Sequence, residues 1–166
     1  MKNNYIPLFI KDKFTSFINY FLALSYLILG LFMGLSMFTF SINDNSFLTS
    51  TSQMSSNIFG DVGSYLASFI YYSFGLIGYG VMVFFFSFSI LTFMKKKPSY
   101  FFIRLLIFLI GLVFIPQTLF YFDIRFALIE QIDTWGVFSK QLFLLHQNNF
   151  LSYLLSFIGV VFFLFS

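Results

Sequence analysis

SINDNSFLTSTSQMSSNIFGDVGSYLASFIYYSFGLIGYG, residues 41–80, decides how the chain is read. Its first half is a polar loop without one Lys or Arg. It then returns to apolar sequence through Asn57-x-x-Gly60-x-x-Gly63. Apolar runs flank it on both sides: 17–41 before it, and 62–94 after it, neither with a charged residue. A helix that crosses a bilayer needs about 20 largely apolar residues. The stretch therefore reads as a short hairpin loop joining two membrane helices.

Composition supports that reading along the whole chain. Of 166 residues, 59% are hydrophobic and 9% charged, and Phe alone supplies 30. Soluble domains carry about 25% charged residues, and so few charges cannot cover the surface of a soluble fold of this size. The mean hydropathy is +0.90. The class is an all-α membrane protein. There is no Cys, which excludes disulfides and thiolate metal sites.

The expected architecture is a four-transmembrane-helix bundle with a short interfacial helix before the second span. The spans fall at about 17–41, 74–94, 100–122 and 149–166, after a cytoplasmic segment 1–16. The run 62–94 is too long for one straight span. An interfacial turn or two before Phe74 accounts for the excess, and one long tilted helix is the alternative. Basic residues set the orientation. Lys2, Lys11, Lys13, Lys95, Lys96, Lys97 and Arg104 fall on one side, with only Arg125 and Lys140 on the other. Both termini are thus expected in the cytoplasm. The first apolar run is too long for a cleaved signal peptide and lacks a small-residue cleavage site.

Few residues suggest chemistry. His146 is the only histidine and no Cys accompanies it, so a metal site is not expected. No phosphate loop, H-E-x-x-H or G-x-S-x-G occurs. No acidic residue sits within an expected span, which argues against an ion or proton path. Arg104 lies near enough to the cytoplasmic face to snorkel. Ser87, Ser89 and Thr92 are expected to bond to their own helix. Glycines carry the packing signals. Gly30 and Gly34 form a G-x-x-x-G stripe where another backbone can approach. Gly75 and Gly78 open the second span. The span-two glycines are assigned to contacts within the bundle and the Gly30–Gly34 stripe to a partner. Pro116 is expected to end or kink span three.

The loop and the start of the next apolar run resemble the N-terminal four-transmembrane region of the FtsK/SpoIIIE DNA translocases. The residues that carry the resemblance are Asp44-Asn45-Ser46-Phe47, then Asn57, Gly60, Gly63, Ser64 and Ala67, then Gly75. The second hairpin matches less, with only Gly136 and Gly159 where the family is often rich in Gly. Physically, Asn57 or Asp61 is suited to cap the helix start, and Gly60 and Gly63 to a tight turn against a neighbour.

That resemblance implies a membrane-anchoring and interaction domain at the division septum of a bacterium, in its inner membrane. It implies assembly into a homo-oligomer, a hexamer in that family, beside cell-division proteins and the lipid bilayer. The ATP-dependent motor would lie beyond the fourth span, so the chain is expected to be a fragment or the product of a truncated gene. ATP, Mg and DNA belong to that motor, and no cofactor or catalysis is expected of the chain itself. The alternative is a self-contained four-span protein, a transporter subunit or lipid-handling protein. Reporter fusions at Ser52 and Lys96 test the orientation. Ser52 should report the outer side and Lys96 the cytoplasm, and a cytoplasmic signal at Ser52 would overturn the arrangement.

Overall fold

The computed structural model describes residues 8–47, 49–95, 100–121 and 135–145, with isolated helical positions at Leu154, Phe157, Ile158 and Val161. Every regular element among them is helical. In chain order these are α1 (Leu8–Phe38), α2 (Gly60–Phe74), a 3-10 stretch (Gly75–Tyr79), α3 (Gly80–Phe93), α4 (Phe101–Tyr121) and α5 (Gly136–Leu145). Three stretches are long and apolar enough to cross a membrane: Ile10–Phe38, Gly60–Phe93 and Phe101–Phe120. The expected fourth span at 149–166 lies outside the described residues apart from those isolated positions, as do His146, Lys96 and Lys97.

α1 has 31 residues, about 46 Å at 1.5 Å per residue. Hydroxyl groups along it are satisfied locally. Thr15, Ser25 and Ser36 each donate to the carbonyl four residues earlier, at 2.7–2.9 Å. Such self-bonding lets polar side chains sit in a helix that water does not reach. The helix begins at Leu8, well before the expected start at 17, and so takes in Lys11, Asp12 and Lys13. Long basic side chains permit this because they extend towards the headgroups.

α2 and α3 do not form one straight helix. Ile70 Cγ2 lies 2.3 Å from where a Cβ on Gly78 would stand. Eight residues of straight helix separate two positions by about 12 Å, so the axis folds sharply between them. The fold is at Gly75, whose φ of 64° and ψ of −148° leave the helical region. Only a residue without a Cβ adopts such a conformation at little cost. The expected turn or two before Phe74 is in fact a helix of 15 residues.

α3 runs antiparallel to α1, and the pairing is read off in order. Tyr20 meets Phe93, Tyr26 meets Phe85 and Phe88, and a Cβ on Gly78 would stand 3.3 Å from Met37 Cε. Between them, a Cβ on Gly30 would stand 2.7 Å from the Phe86 ring, and one on Gly34 would stand 2.2 Å from Met82 Sδ. The Gly30–Gly34 stripe thus seats α3 of the same chain, which corrects its assignment to a partner. Small residues let membrane helices approach closely enough for dispersion and polar contacts to act. One such contact is the Ser89 hydroxyl, which donates to the Ala23 carbonyl at 2.8 Å across the interface. Ser89 therefore bonds between helices rather than to its own, while Ser87 bonds to Val83 of its own helix.

Two buried clusters result. Met37, Ala67, Ile70 and Tyr71 pack where α1 ends against α2. Phe84, Phe88, Phe108 and Leu112 pack α3 against α4, with the Phe84 and Phe108 rings stacked at 4.4 Å. Pro116 lies inside α4, which continues to Tyr121, so the proline does not end the helix. α5, between the expected third and fourth spans, meets α2 at the bend: a Cβ on Gly136 would stand 2.6 Å from Gly75 N and Ser73 O.

The Gly34 contact makes a graded expectation. Met82 Sδ is the far end of a flexible side chain, so Gly34→Ala needs only a Met82 rotamer change. Gly34→Leu overpacks the interface and should cost about 1–3 kcal/mol. Thermal unfolding of the protein in detergent should rank wild type, Ala and Leu in that order. Equal midpoints for Leu and wild type would contradict the close α1–α3 approach.

Candidate functional site

The residues singled out by sequence converge on the loop between α1 and α2. It is built around the end of α1. The last four carbonyls of any helix lack intrahelical donors, and here three of the four are met from outside the helix. Leu35 O accepts the Thr39 N–H at 3.0 Å and the Thr39 hydroxyl at 2.8 Å. Ser36 O accepts the Asn57 carboxamide at 2.7 Å. Met37 O accepts the Tyr71 hydroxyl at 3.0 Å. That hydroxyl also lies 2.7 Å from the Tyr79 hydroxyl. A phenol has one proton, so Tyr79 is the donor of the second bond.

Asn57 therefore closes the C-terminus of α1 and does not cap the N-terminus of α2. Its Oδ1 accepts the Phe59 N–H at 3.1 Å, a turn within the loop. No side chain caps α2. Gly63 is what admits Asn57, because a Cβ there would stand 2.1 Å from Asn57 Oδ1. Gly60 has a different task. Its φ is +59°, and a Cβ would meet nothing within 4 Å, so its backbone angle alone selects glycine.

Asp44 is the hub of the loop and is 3% exposed. Its Oδ2 accepts the Ser41 N–H at 3.1 Å. Its Oδ1 accepts the Ser56 N–H at 2.7 Å and the Ser56 hydroxyl at 2.8 Å. A buried carboxylate is tolerable only when so satisfied. These donors are neutral, which is how a loop without Lys or Arg keeps a buried acid. Ser46, also buried, exchanges bonds with Thr49: Ser46 N–H to Thr49 O at 2.8 Å and Thr49 N–H to Ser46 Oγ at 3.1 Å. Thr49 in turn donates to the Asp44 carbonyl at 2.6 Å.

Asn45 and Ser64 then fix the loop on α2. The Ser64 hydroxyl donates to the Asn45 carbonyl at 2.5 Å. Asp61, in the first turn of α2, accepts from Asn45 Nδ2 at 3.4 Å and from the Ser55 hydroxyl. An acid there also suits the positive end of the helix. Phe47, largely exposed, sets its ring edge to face against Tyr65 at 5.2 Å and near Phe69 at 6.3 Å. Ala67 is fully buried against Met37. Gly75 and Gly78 stand apart from the loop, at the bend and against Ile70 and Met37.

Sequence reasoning overlooked Thr39 and Tyr71, and noted Gly136 only as a glycine of the second hairpin. Thr39 and Tyr71 act through bonds that only folding creates. Gly136 sits next to the single Trp, and its φ of +70° and backbone contacts with Ser73 and Gly75 mark a close approach. Among the described residues no group of three His, Cys, Asp or Glu could hold a metal. The loop's groups serve one another as donors and acceptors. Its chemistry is that of a fixed surface.

Long apolar helices with close glycine packing define a multi-pass helical membrane protein. The chain belongs to the family of the 4TM region of DNA translocase FtsK/SpoIIIE, whose family model matches residues 16–165. No curated protein and no solved structure matches it.

Asp44→Ala would strip three donors of their acceptor, and each buried one left unpaired costs about 1–3 kcal/mol. Asp44→Asn keeps an acceptor oxygen and should cost less. Limited proteolysis of the protein in detergent should show the loop 41–59 cut several-fold faster in Asp44→Ala than in Asp44→Asn. Equal rates for Ala and wild type would show that Asp44 does not hold the loop.

Proposed function

We propose that the chain is the membrane-anchoring and interaction domain of an FtsK-like DNA translocase that acts in bacterial cell division and chromosome segregation. The observation that carries this is the family match across 16–165. In this reading the chain performs no chemistry and holds no cofactor. ATP, Mg and DNA are handled by a cytoplasmic motor attached to it. The anchor sits in the inner membrane at the septum, with four spans and both termini inside. Several copies gather as the motor forms its ring, and other division proteins are met there.

The geometry supports an outer layer in this reading. The α1–α3 pair extends from Tyr20 opposite Phe93 to Met37 beside Gly78. Those 17 steps rise about 26 Å, close to the roughly 30 Å of a hydrocarbon core. α2 begins where that thickness ends and folds back at Gly75. In this reading it is an interfacial helix that lies with the loop at the outer face. Phe47, Tyr65 and Phe69 then stand at the headgroup level, where aromatic rings are favoured.

A fluorescent protein fused after Ser166, expressed in dividing bacteria, tests the reading. The fusion should fractionate with membranes and concentrate at the septum. Uniform labelling of the envelope would overturn the septal role, and a soluble fusion would overturn the anchor itself.

A further inference from the structure

We infer that the groove between the lysine-bearing ends of α1 and α3 binds an anionic phospholipid, with one acyl chain in the groove and the phosphate at the Lys95 ammonium. The inference needs only the membrane location of the chain and not its role in DNA translocation.

The groove is a cavity of about 530 Å³ whose walls are Ala23, Leu24 and Leu27 of α1 and Ser89 and Ile90 of α3. Small-molecule sites commonly fall at about 300–1,000 Å³. The one polar side chain in the walls is spent, since the Ser89 hydroxyl is bonded to the Ala23 carbonyl at 2.8 Å. Small Ala23 and Ser89 form the floor, while Leu24 and Ile90, both more than half exposed, form the sides. Such a trough suits a flexible hydrocarbon chain and offers nothing to a polar ligand.

Nothing among the described helices covers it. α4 packs on α3 through Phe84 and Phe88. Ile90 is two residues beyond Phe88, about 200° round the helix, so the groove opens on the opposite side.

Charge selects the occupant. The mouth is formed by Tyr20 and Phe93, whose rings are 5.6 Å apart. Lys95 comes two residues later, with Nζ 5.8 Å from the Tyr20 ring centroid. The cation therefore stands at the mouth of the apolar trough. An amphiphile with an anionic head and an apolar tail matches both features at once. A neutral helix from a second copy would match only the trough. A juxtamembrane lysine draws anionic lipids with an effect of about fivefold.

The test uses the full chain reconstituted into vesicles that carry phosphatidylglycerol or phosphatidylcholine with a photoreactive group in the acyl chain. Crosslinked residues are mapped by mass spectrometry. At low salt, phosphatidylglycerol should label the Leu24–Leu27 and Ile90 positions about fivefold more than phosphatidylcholine. The ratio should fall towards one in Lys95→Ala and at high salt. It should be kept in Lys11→Ala, more than two turns from the groove. Leu24→Trp should block labelling there, and Ile90→Trp serves if the first variant fails to fold. Equal labelling by the two lipids, or a ratio unmoved in Lys95→Ala, would overturn the inference. So would an unlabelled groove in which Leu24→Cys crosslinks two copies, since the groove would then be an interface between copies.

Discussion

The bond from the Asn57 carboxamide to the Ser36 carbonyl is the constraint on which the loop end of the molecule depends. A helix that ends at a membrane surface presents carbonyls that hydrocarbon cannot satisfy. Here the donor comes from 21 residues further along the chain. The bond is possible only if the loop folds so as to bring Asn57 back over α1. Asp44 arranges that return by gathering Ser41 and Ser56, and Gly63 leaves the space into which Asn57 fits. Tyr71 adds a second closing bond from α2. The end of one helix thus specifies the place of the next.

Deeper in the bundle, packing takes over from hydrogen bonding. Gly30 and Gly34 bring α3 close to α1, and stacked Phe rings join α3 to α4. Aromatic pairs contribute about 0.5–1.5 kcal/mol beyond the area they bury. Satisfaction is not complete there. Among the described residues, Thr92 Oγ1 and both amide atoms of Gln117 are buried without a hydrogen-bond partner. Groups of that kind cost about 1–3 kcal/mol each. The regions of tight packing are therefore not the regions of best polar pairing, and the loop is the better satisfied of the two.

Sequence reveals those features that depend on composition or on near neighbours. The helical membrane class follows from scarce charges, and the loop from its polar run. The glycine stripe on α1 is visible because four-residue spacing fixes a helix face. Which helix meets that face is not, since the answer lies about 50 residues away at Met82 and Phe86. The same limit governs Asn57. Its position just before α2 suggests a cap for that helix, whereas its partner is the helix before. Ser89 looks self-bonded for the same reason, and its acceptor is 66 residues distant. α5 is hidden differently. Ten residues that include Lys140 and Gln141 are too short and too polar to stand out as a span.

The placement of Gly136 against Gly75 and Ser73 has a consequence for synthesis. α1 and α3 are both complete by residue 93, and their contact needs no later part of the chain. Gly136 is made about 43 residues later, roughly two to nine seconds at about 5–20 residues per second. During that interval α4 is added against α3, while the seat for α5 at Gly75 and Ser73 stays vacant. α5 then reaches a surface that the earlier helices supply. A side chain at position 136 would spare the first stage of assembly and arrest the second.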